Sequence, residues 1–247
     1  MNRTHPTVLL VHGAFADGSS WRGVLTELQA DGIPVRALAH PLRGLYADAA
    51  YVAHAAAQID GPVLLVGHSY GGMVITEDAA AAGNVTGLVH VAAFTPEVGE
   101  SLSSINARYP AGAGAPVLEA SSPGLNGGAE QVELSISAES FPVAFAADLP
   151  LEVARVAATQ RPPTNPCFEQ SATRTAWREL PAWAVVATAD QMIHPDAQRD
   201  MADRAGATTT SVEASHAVAL SQPRAVTDAI HRALRVTMPA TTASSSR

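Results

Sequence analysis

One cysteine in 247 residues leaves no partner for an intramolecular disulfide and no set of thiolates for a Cys-based metal site. That residue, Cys167, follows Pro162-Pro163-Thr164-Asn165-Pro166 with no strand running into it. It reads as a small apolar filler rather than a nucleophile. Basic residues are also scarce, 15 Lys and Arg against 23 Asp and Glu for a net charge of −8, and they are scattered. Nucleic acid and anionic membrane surfaces are therefore poor partners. No apolar run approaches the roughly 20 residues needed to span a bilayer. The opening Met1-Asn2-Arg3-Thr4-His5-Pro6 enters a strand without the apolar stretch of a signal peptide. These absences together lead us to expect a cytoplasmic protein, with monomer and homodimer both left open.

The chain is 47% hydrophobic and 15% charged, which suits one globular domain with a sizeable core. Its most informative stretch is Gly67-His68-Ser69-Tyr70-Gly71-Gly72, which follows the apolar run Pro62-Val63-Leu64-Leu65-Val66 and precedes a helical pattern from Met73 to Ala82. A buried strand that enters a Gly-x-Ser-x-Gly turn and leaves as a helix presents the serine hydroxyl at the tip of a tight bend. Gly67 and Gly71 remove side chains where the bend closes. The pattern alone is weak, and the strand before it and helix after it carry the reading.

Apolar runs and helical patterns alternate elsewhere too. Strands are expected at Thr7 to Val11, Ile33 to Leu38, Val63 to Val66, Gly87 to Phe94, Trp183 to Thr188 and Thr208 to Val212. Helices are expected at Trp21 to Asp31, Ala47 to Ile59, Met73 to Ala82, about Pro195 to Ala205 and Pro223 to Arg235. Six strands alternating with helices argue for an α/β fold, a mostly parallel sheet covered on both faces. Residues 96–180 break the alternation. They are rich in Pro, Gly, Ser and Ala and lack a strong buried strand, with helical pieces expected at Ser140 to Asp148, Leu151 to Thr159 and Phe168 to Trp177. The expected organisation is a core of residues 1–95 and 181–238, a cap or lid of residues 96–180, and a disordered tail at 239–247.

A nucleophilic serine needs a base, and the base needs an orienting acid. His216, after the strand ending near Val212, is the best placed of nine histidines. Asp190 lies just beyond the strand Trp183 to Thr188. The order Ser69, Asp190, His216 is the nucleophile–acid–base order of a strand-turn-helix hydrolase site, and all three sit at carboxyl ends of strands, where such sheets carry their chemistry. Asp196 and Asp200 are alternative acids, though both fall at helical positions. One oxyanion donor is expected at the amide of Tyr70, after the nucleophile, and another at Ala14 in His12-Gly13-Ala14-Phe15, with Phe15 the near alternative. His12 is expected to bond within its loop, His68 to point away from the nucleophile, and His90 to be a satisfied core histidine. Trp21, Trp177, Trp183 and Met192 belong to either core or pocket. No cofactor and no metal is implied.

These residues resemble the α/β-hydrolase superfamily across most of the chain. More narrowly, Val11 to Trp21, Gly67 to Gly72 and Ala214-Ser215-His216-Ala217 resemble small bacterial esterase-like members related to the plant methyl-esterase and hydroxynitrile-lyase group. The resemblance implies a Ser-Asp-His triad, a helical cap after the fourth strand, and oxyanion donors at Ala14 and Tyr70. Hydroxynitrile lyases of that group carry a lysine after the catalytic histidine, and Ala217 stands there instead. Ser69 excludes the aspartate-nucleophile chemistry of epoxide hydrolases and haloalkane dehalogenases. The expected function is hydrolysis of small, apolar carboxylic esters through an acyl-enzyme. Lactonase or other acyl-transfer activity, a ligand receptor, and a His-Asp base lyase or oxygenase are the alternatives.

Overall fold

The computed structural model describes residues 6–112, 118–121, 132–159 and 161–237. Its strands are β1 (Thr7–Val11), β2 (Val35–Leu38), β3 (Val63–His68), β4 (Val85–Val91), β5 (Leu118–Ser121), β6 (Glu133–Ile136), β7 (Ala182–Ala187) and β8 (Thr208–Val212). The helices are α1 (Arg22–Ala30), α2 (Leu45–Ala57), α3 (Tyr70–Asp78), α4 (Leu102–Asn106), α5 (Phe141–Ala144), α6 (Leu151–Ala157), α7 (Pro166–Glu169), α8 (Pro195–Arg204), α9 (Val218–Ser221) and α10 (Pro223–Thr237). Six strands form one sheet in the order β2-β1-β3-β4-β7-β8, and every neighbouring pair is parallel.

Parallel strands buried on both faces need apolar residues at every position, because successive side chains point to opposite sides. In β1, Val8 and Leu10 join Trp21, Val24, Leu28, Val226 and Ile230 on the side of α1 and α10. Leu9 and Val11 pack on the other side with Leu45, Val52, Tyr70 and Met73 of α2 and α3. Trp21 and Trp183 are thus core residues.

All six expected strands form, with shifted ends. The second starts at Val35 rather than Ile33, after Pro34, whose carbonyl accepts from Val8 N at 2.8 Å. The fourth ends at Val91 rather than Phe94, because Ala92 takes φ +41° and turns the chain.

The segment between β4 and β7 departs more from expectation. It contains an antiparallel two-stranded hairpin, β5 with β6, where the sequence suggested no strand. No continuous helix runs from Phe168 to Trp177. Instead, α7 ends at Glu169 and a 3₁₀ turn covers Ala176–Arg178. The chain between them is held by Glu77, a buried residue of α3 that accepts from the amides of Thr173 (2.7 Å) and Arg174 and from the Thr173 hydroxyl. The expected tail at 239–247 lies outside the described residues. Among the described residues, no helix is long and apolar enough to cross a membrane.

Candidate active site

Ser69 sits at the junction of β3 and α3 with φ +53°. A β-carbon residue adopts this left-handed conformation only under strain that the surrounding packing must offset. The packing here is tight: a Cβ at Gly67 would come within 2.5 Å of the Gly71 carbonyl oxygen, and one at Gly71 would collide with the Val11 carbonyl oxygen. The turn is fixed by Ser69 N donating to Val91 O (3.2 Å) and by Ser69 O accepting from Gly72 N (2.9 Å) and Phe94 N (3.2 Å).

His216 lies in the loop after β8, and its Nδ1 donates to Asp190 Oδ2 at 2.7 Å. Both side chains are buried, at 1% and 0% exposure. With Nδ1 carrying a proton toward the carboxylate, the neutral ring keeps its lone pair on Nε2. Asp190 is held by three further donors: Met192 N (2.7 Å) and Ile193 N (3.0 Å) on Oδ1, and Gln198 Nε2 (2.8 Å) on Oδ2. Gln198 is itself oriented by Ala187 N, which donates to its Oε1 at 3.0 Å. The alternative acids lie elsewhere. Asp196 pairs with Arg199 at 2.7 Å and is 63% exposed, and Asp200 accepts from the Tyr109 hydroxyl.

The loop that carries His216 is also gripped from the segment between β4 and β7. Ala217 N donates to Phe145 O (2.9 Å), Ser215 N donates to Asp148 Oδ2 (3.1 Å), and the Ser215 hydroxyl bonds Asp148. The Phe145 ring meets His216 edge-on, with centroids 4.8 Å apart. From the other side, His68 Nε2 donates to the His216 carbonyl at 2.9 Å, and the two rings lie 4.7 Å apart. His68 thus links the residue before Ser69 to His216. Burial, then the neighbouring His216, holds the pKa of His68 well below that of a free histidine, so it stays a neutral donor.

Ala14, Phe15, Ser69, Asp190 and His216 line one cavity of ≈ 550 Å³, within the range of about 300–1,000 Å³ of small-molecule sites. Gly13 lets the β1 loop close on the nucleophile, since a Cβ there would lie 2.7 Å from Ser69 Cβ. Phe15 in that loop has φ +58°. Among the described residues, no backbone carbonyl accepts from the amides of Ala14, Phe15 or Tyr70. Tyr70 is also the first residue of α3, where unpaired amides and the helix dipole favour negative charge.

The far wall comes from α4 and the residues after it, with Leu102, Asn106 and Tyr109 in the lining, and from Met192 and His194 after β7. Among the described residues, Asp190 is the only Asp, Glu, Lys or Arg in that lining, and its oxygens are already taken. Among the described residues, no group of His, Cys, Asp and Glu is arranged to hold a metal ion.

His12, His90 and Cys167 lie off the cavity. His12 Nδ1 donates to Gly13 O at 2.9 Å, and burial, then His40, lowers its pKa to about 3. His90 is a buried residue of β4 with a backbone hydrogen bond at Phe94. Burial lowers its pKa to about 4. Burial, then Asp48, raises the Cys167 thiol to about 11, which leaves it protonated and inert.

Gln198, Asp148 and the His68 contact were not legible beforehand. Gln198 had one signal: it lies between Ala197 and Met201 on the only apolar stripe of a polar helix.

The sequence profile of the alpha/beta hydrolase family matches residues 8–229. Solved structures with the same fold include polyneuridine aldehyde esterase (20% identity, TM-score 0.79, 93% of this chain and 99% of that one). A pyrethroid hydrolase from Sphingobium faniae JZ-2 matches at 20% identity and TM-score 0.73, over 93% and 97%. The methylesterase MES16 from Arabidopsis matches at 16% identity and TM-score 0.76, over 94% and 99%. No curated protein sequence matched.

Proposed function

The chain belongs to the alpha/beta hydrolase family, and from that premise we propose that it is a cofactor-independent serine hydrolase of small, apolar carboxylic esters. The observation that carries this reading is the Asp190–His216 hydrogen bond of 2.7 Å, in a cavity shared with a strained Ser69 and with Ala14 and Phe15. His216 takes the proton from Ser69 Oγ as it attacks the acyl carbon, and Asp190 holds the tautomer and steadies the imidazolium. The oxyanion is received by the amides of Tyr70 and Ala14, each worth roughly 3 kcal/mol in such sites. The imidazolium then protonates the leaving alcohol. Water deprotonated by His216 releases the acid from the acyl-enzyme and restores Ser69.

An uncharged, mainly apolar substrate fits a lining whose one ionised side chain is committed to His216. The esterase, pyrethroid hydrolase and methylesterase among the structural neighbours agree with ester cleavage. Residues 96–180 serve as the cap, since Leu102 to Gly112 and Phe168 roof the cavity. A buried, inert Cys167 suits cytoplasmic work.

The test is turnover of a short p-nitrophenyl ester with stoichiometric labelling by a fluorophosphonate. Ser69→Ala is expected to lose both while remaining folded. Substantial turnover by Ser69→Ala would instead favour a His216-Asp190 base acting without a covalent intermediate. Wild-type labelling without turnover would favour a receptor.

A further inference from the structure

Behind the oxyanion amides lies a second, fully buried polar cluster that takes no part in the chemistry just described. Asp48, on the first turn of α2, is completely inaccessible. Its Oδ2 accepts from the Tyr70 hydroxyl at 2.8 Å, and its Oδ1 accepts from Arg43 N at 3.3 Å. His40, also buried, brings its Nδ1 to 3.6 Å from the same Oδ2. The other ring nitrogen of His40, Nε2, donates to the carbonyl of His12 at 2.9 Å. The His40 and His12 rings stack with centroids 4.0 Å apart and planes 18° apart. Neither Asp48 nor His40 lines the cavity, so neither touches a substrate.

We propose that Asp48 and His40 are positioning residues that fix both halves of the oxyanion site from behind. Through the Tyr70 hydroxyl, Asp48 anchors the ring of the residue whose amide starts α3. Through the His12 carbonyl, His40 anchors the peptide that leads into Gly13, Ala14 and Phe15. The two halves come from β3 and β1, and Asp48 and His40 pack against each other between them, 3.6 Å apart at their nearest polar atoms. Burying a carboxylate is costly unless it is hydrogen-bonded or paired. Here the cost falls on a residue whose shortest contact, the Tyr70 hydroxyl, leads to backbone that must be aimed to a fraction of an ångström, while Arg43 N and the Cys167 thiol complete its shell. This inference rests on the acyl-transfer reading and adds to it a supporting pair for transition-state binding.

The experiment compares Asp48→Asn, Tyr70→Phe and His40→Gln with wild type, with concentrations normalised by fluorophosphonate titration. For each, kcat and KM are measured on a p-nitrophenyl ester. Inhibition is measured by an aryl trifluoromethyl ketone, which forms a tetrahedral adduct, and by the matching methyl ketone, which serves as a ground-state control. Asp48→Asn is expected to lower kcat by roughly 10-fold to 10²-fold with KM little changed. The same factor should appear in trifluoromethyl ketone affinity and be absent from the methyl ketone. His40→Gln, which keeps a donor for the His12 carbonyl, should retain more activity than His40→Ala. Tyr70→Phe removes only the hydroxyl and should reproduce part of the Asp48→Asn loss; it carries the test if Asp48→Asn fails to fold.

Variants that melt earlier but keep wild-type kcat and trifluoromethyl ketone affinity would overturn the proposal and leave Asp48 and His40 as packing. A wild-type protein without Ser69-dependent turnover would overturn the acyl-transfer reading itself, so the two failures are distinguishable.

Discussion

Asp190–His216 and Asp48–His40 bring the same two side-chain types together at 2.7 Å and 3.6 Å, and both pairs are out of contact with bulk water. They differ in what surrounds each partner. Asp190 takes four donors that leave its geometry no freedom, and its histidine opens onto the cavity beside Ser69. Asp48 has one short donor, the Tyr70 hydroxyl, and its histidine spends Nε2 on the His12 carbonyl. An acid beside an imidazole is therefore no mark of a proton shuttle by itself. The imidazole must also keep its second nitrogen free to face a reacting group. On this view one pair moves a proton and the other holds still the peptide groups that meet the resulting charge.

The largest expected effect separates the pairs at once. His216→Ala should cost turnover by roughly 10⁶-fold, and Asp190→Asn on the order of 10⁴-fold through the wrong tautomer. Asp48→Asn should lose far less. Equal losses at Asp190 and Asp48 in steady-state assays would erase the distinction, and a damaging Asp196→Asn would move the acid elsewhere. Next in size is Gln198→Ala. It removes one of four donors to Asp190 and should lower kcat by up to roughly 10²-fold, with the loss read in pre-steady-state acylation.

A third expectation concerns three buried histidines, His12 beside His40, His68 beside His216, and His90 in β4. His12, His68 and His90 are held neutral by burial, at about 3 for His12, well below normal for His68, and about 4 for His90. The unfolded chain protonates each near its ordinary value of about 6.5. Below that pH the unfolded state binds more protons, so stability falls as pH drops toward the folded-state values. Each histidine should contribute about 1.4 kcal/mol per pH unit across that window. Urea melts between pH 7 and pH 5 should show this slope, and His90→Gln should make it shallower. The smallest effect is at Cys167. Its thiol should resist alkylation by iodoacetamide at pH 8 in the folded protein, and Cys167→Ser should leave kcat within about twofold.

Much of the sheet was readable because buried parallel strands write themselves as unbroken apolar runs, as in Val63-Leu64-Leu65-Val66. Gly67, Gly71 and Gly72 were readable for a related reason: crowding at the turn admits no other residue. The Asp190–His216 contact was inferred from chain order and strand ends, which a parallel topology converts into proximity. The hairpin β5–β6 was not legible, since its strands are four residues each and Leu118–Ser121 is exposed along its length. Gln198 and Asp148 were hidden for a different reason. Gln198 is a buried polar side chain on a charged helix and Asp148 an exposed acid on a short segment, and in one dimension both look like any surface residue. Asp48 did carry a trace, as an acid within the otherwise apolar Leu45-Tyr46-Ala47-Asp48-Ala49-Ala50.

The bonds from Phe145 and Asp148 to Ala217 and Ser215 tie the loop that carries His216 to the segment between β4 and β7. On the proposed reading, a movement of Phe145 and Asp148 away from the sheet would break those bonds and carry His216 out of register with Ser69. Leu102 to Gly112 line the cavity on the α4 side and take no part in those bonds, so a movement there would leave His216 in place. A chimera that transplants another roof onto this sheet would need to keep Phe141 to Asp148, however freely the rest was replaced.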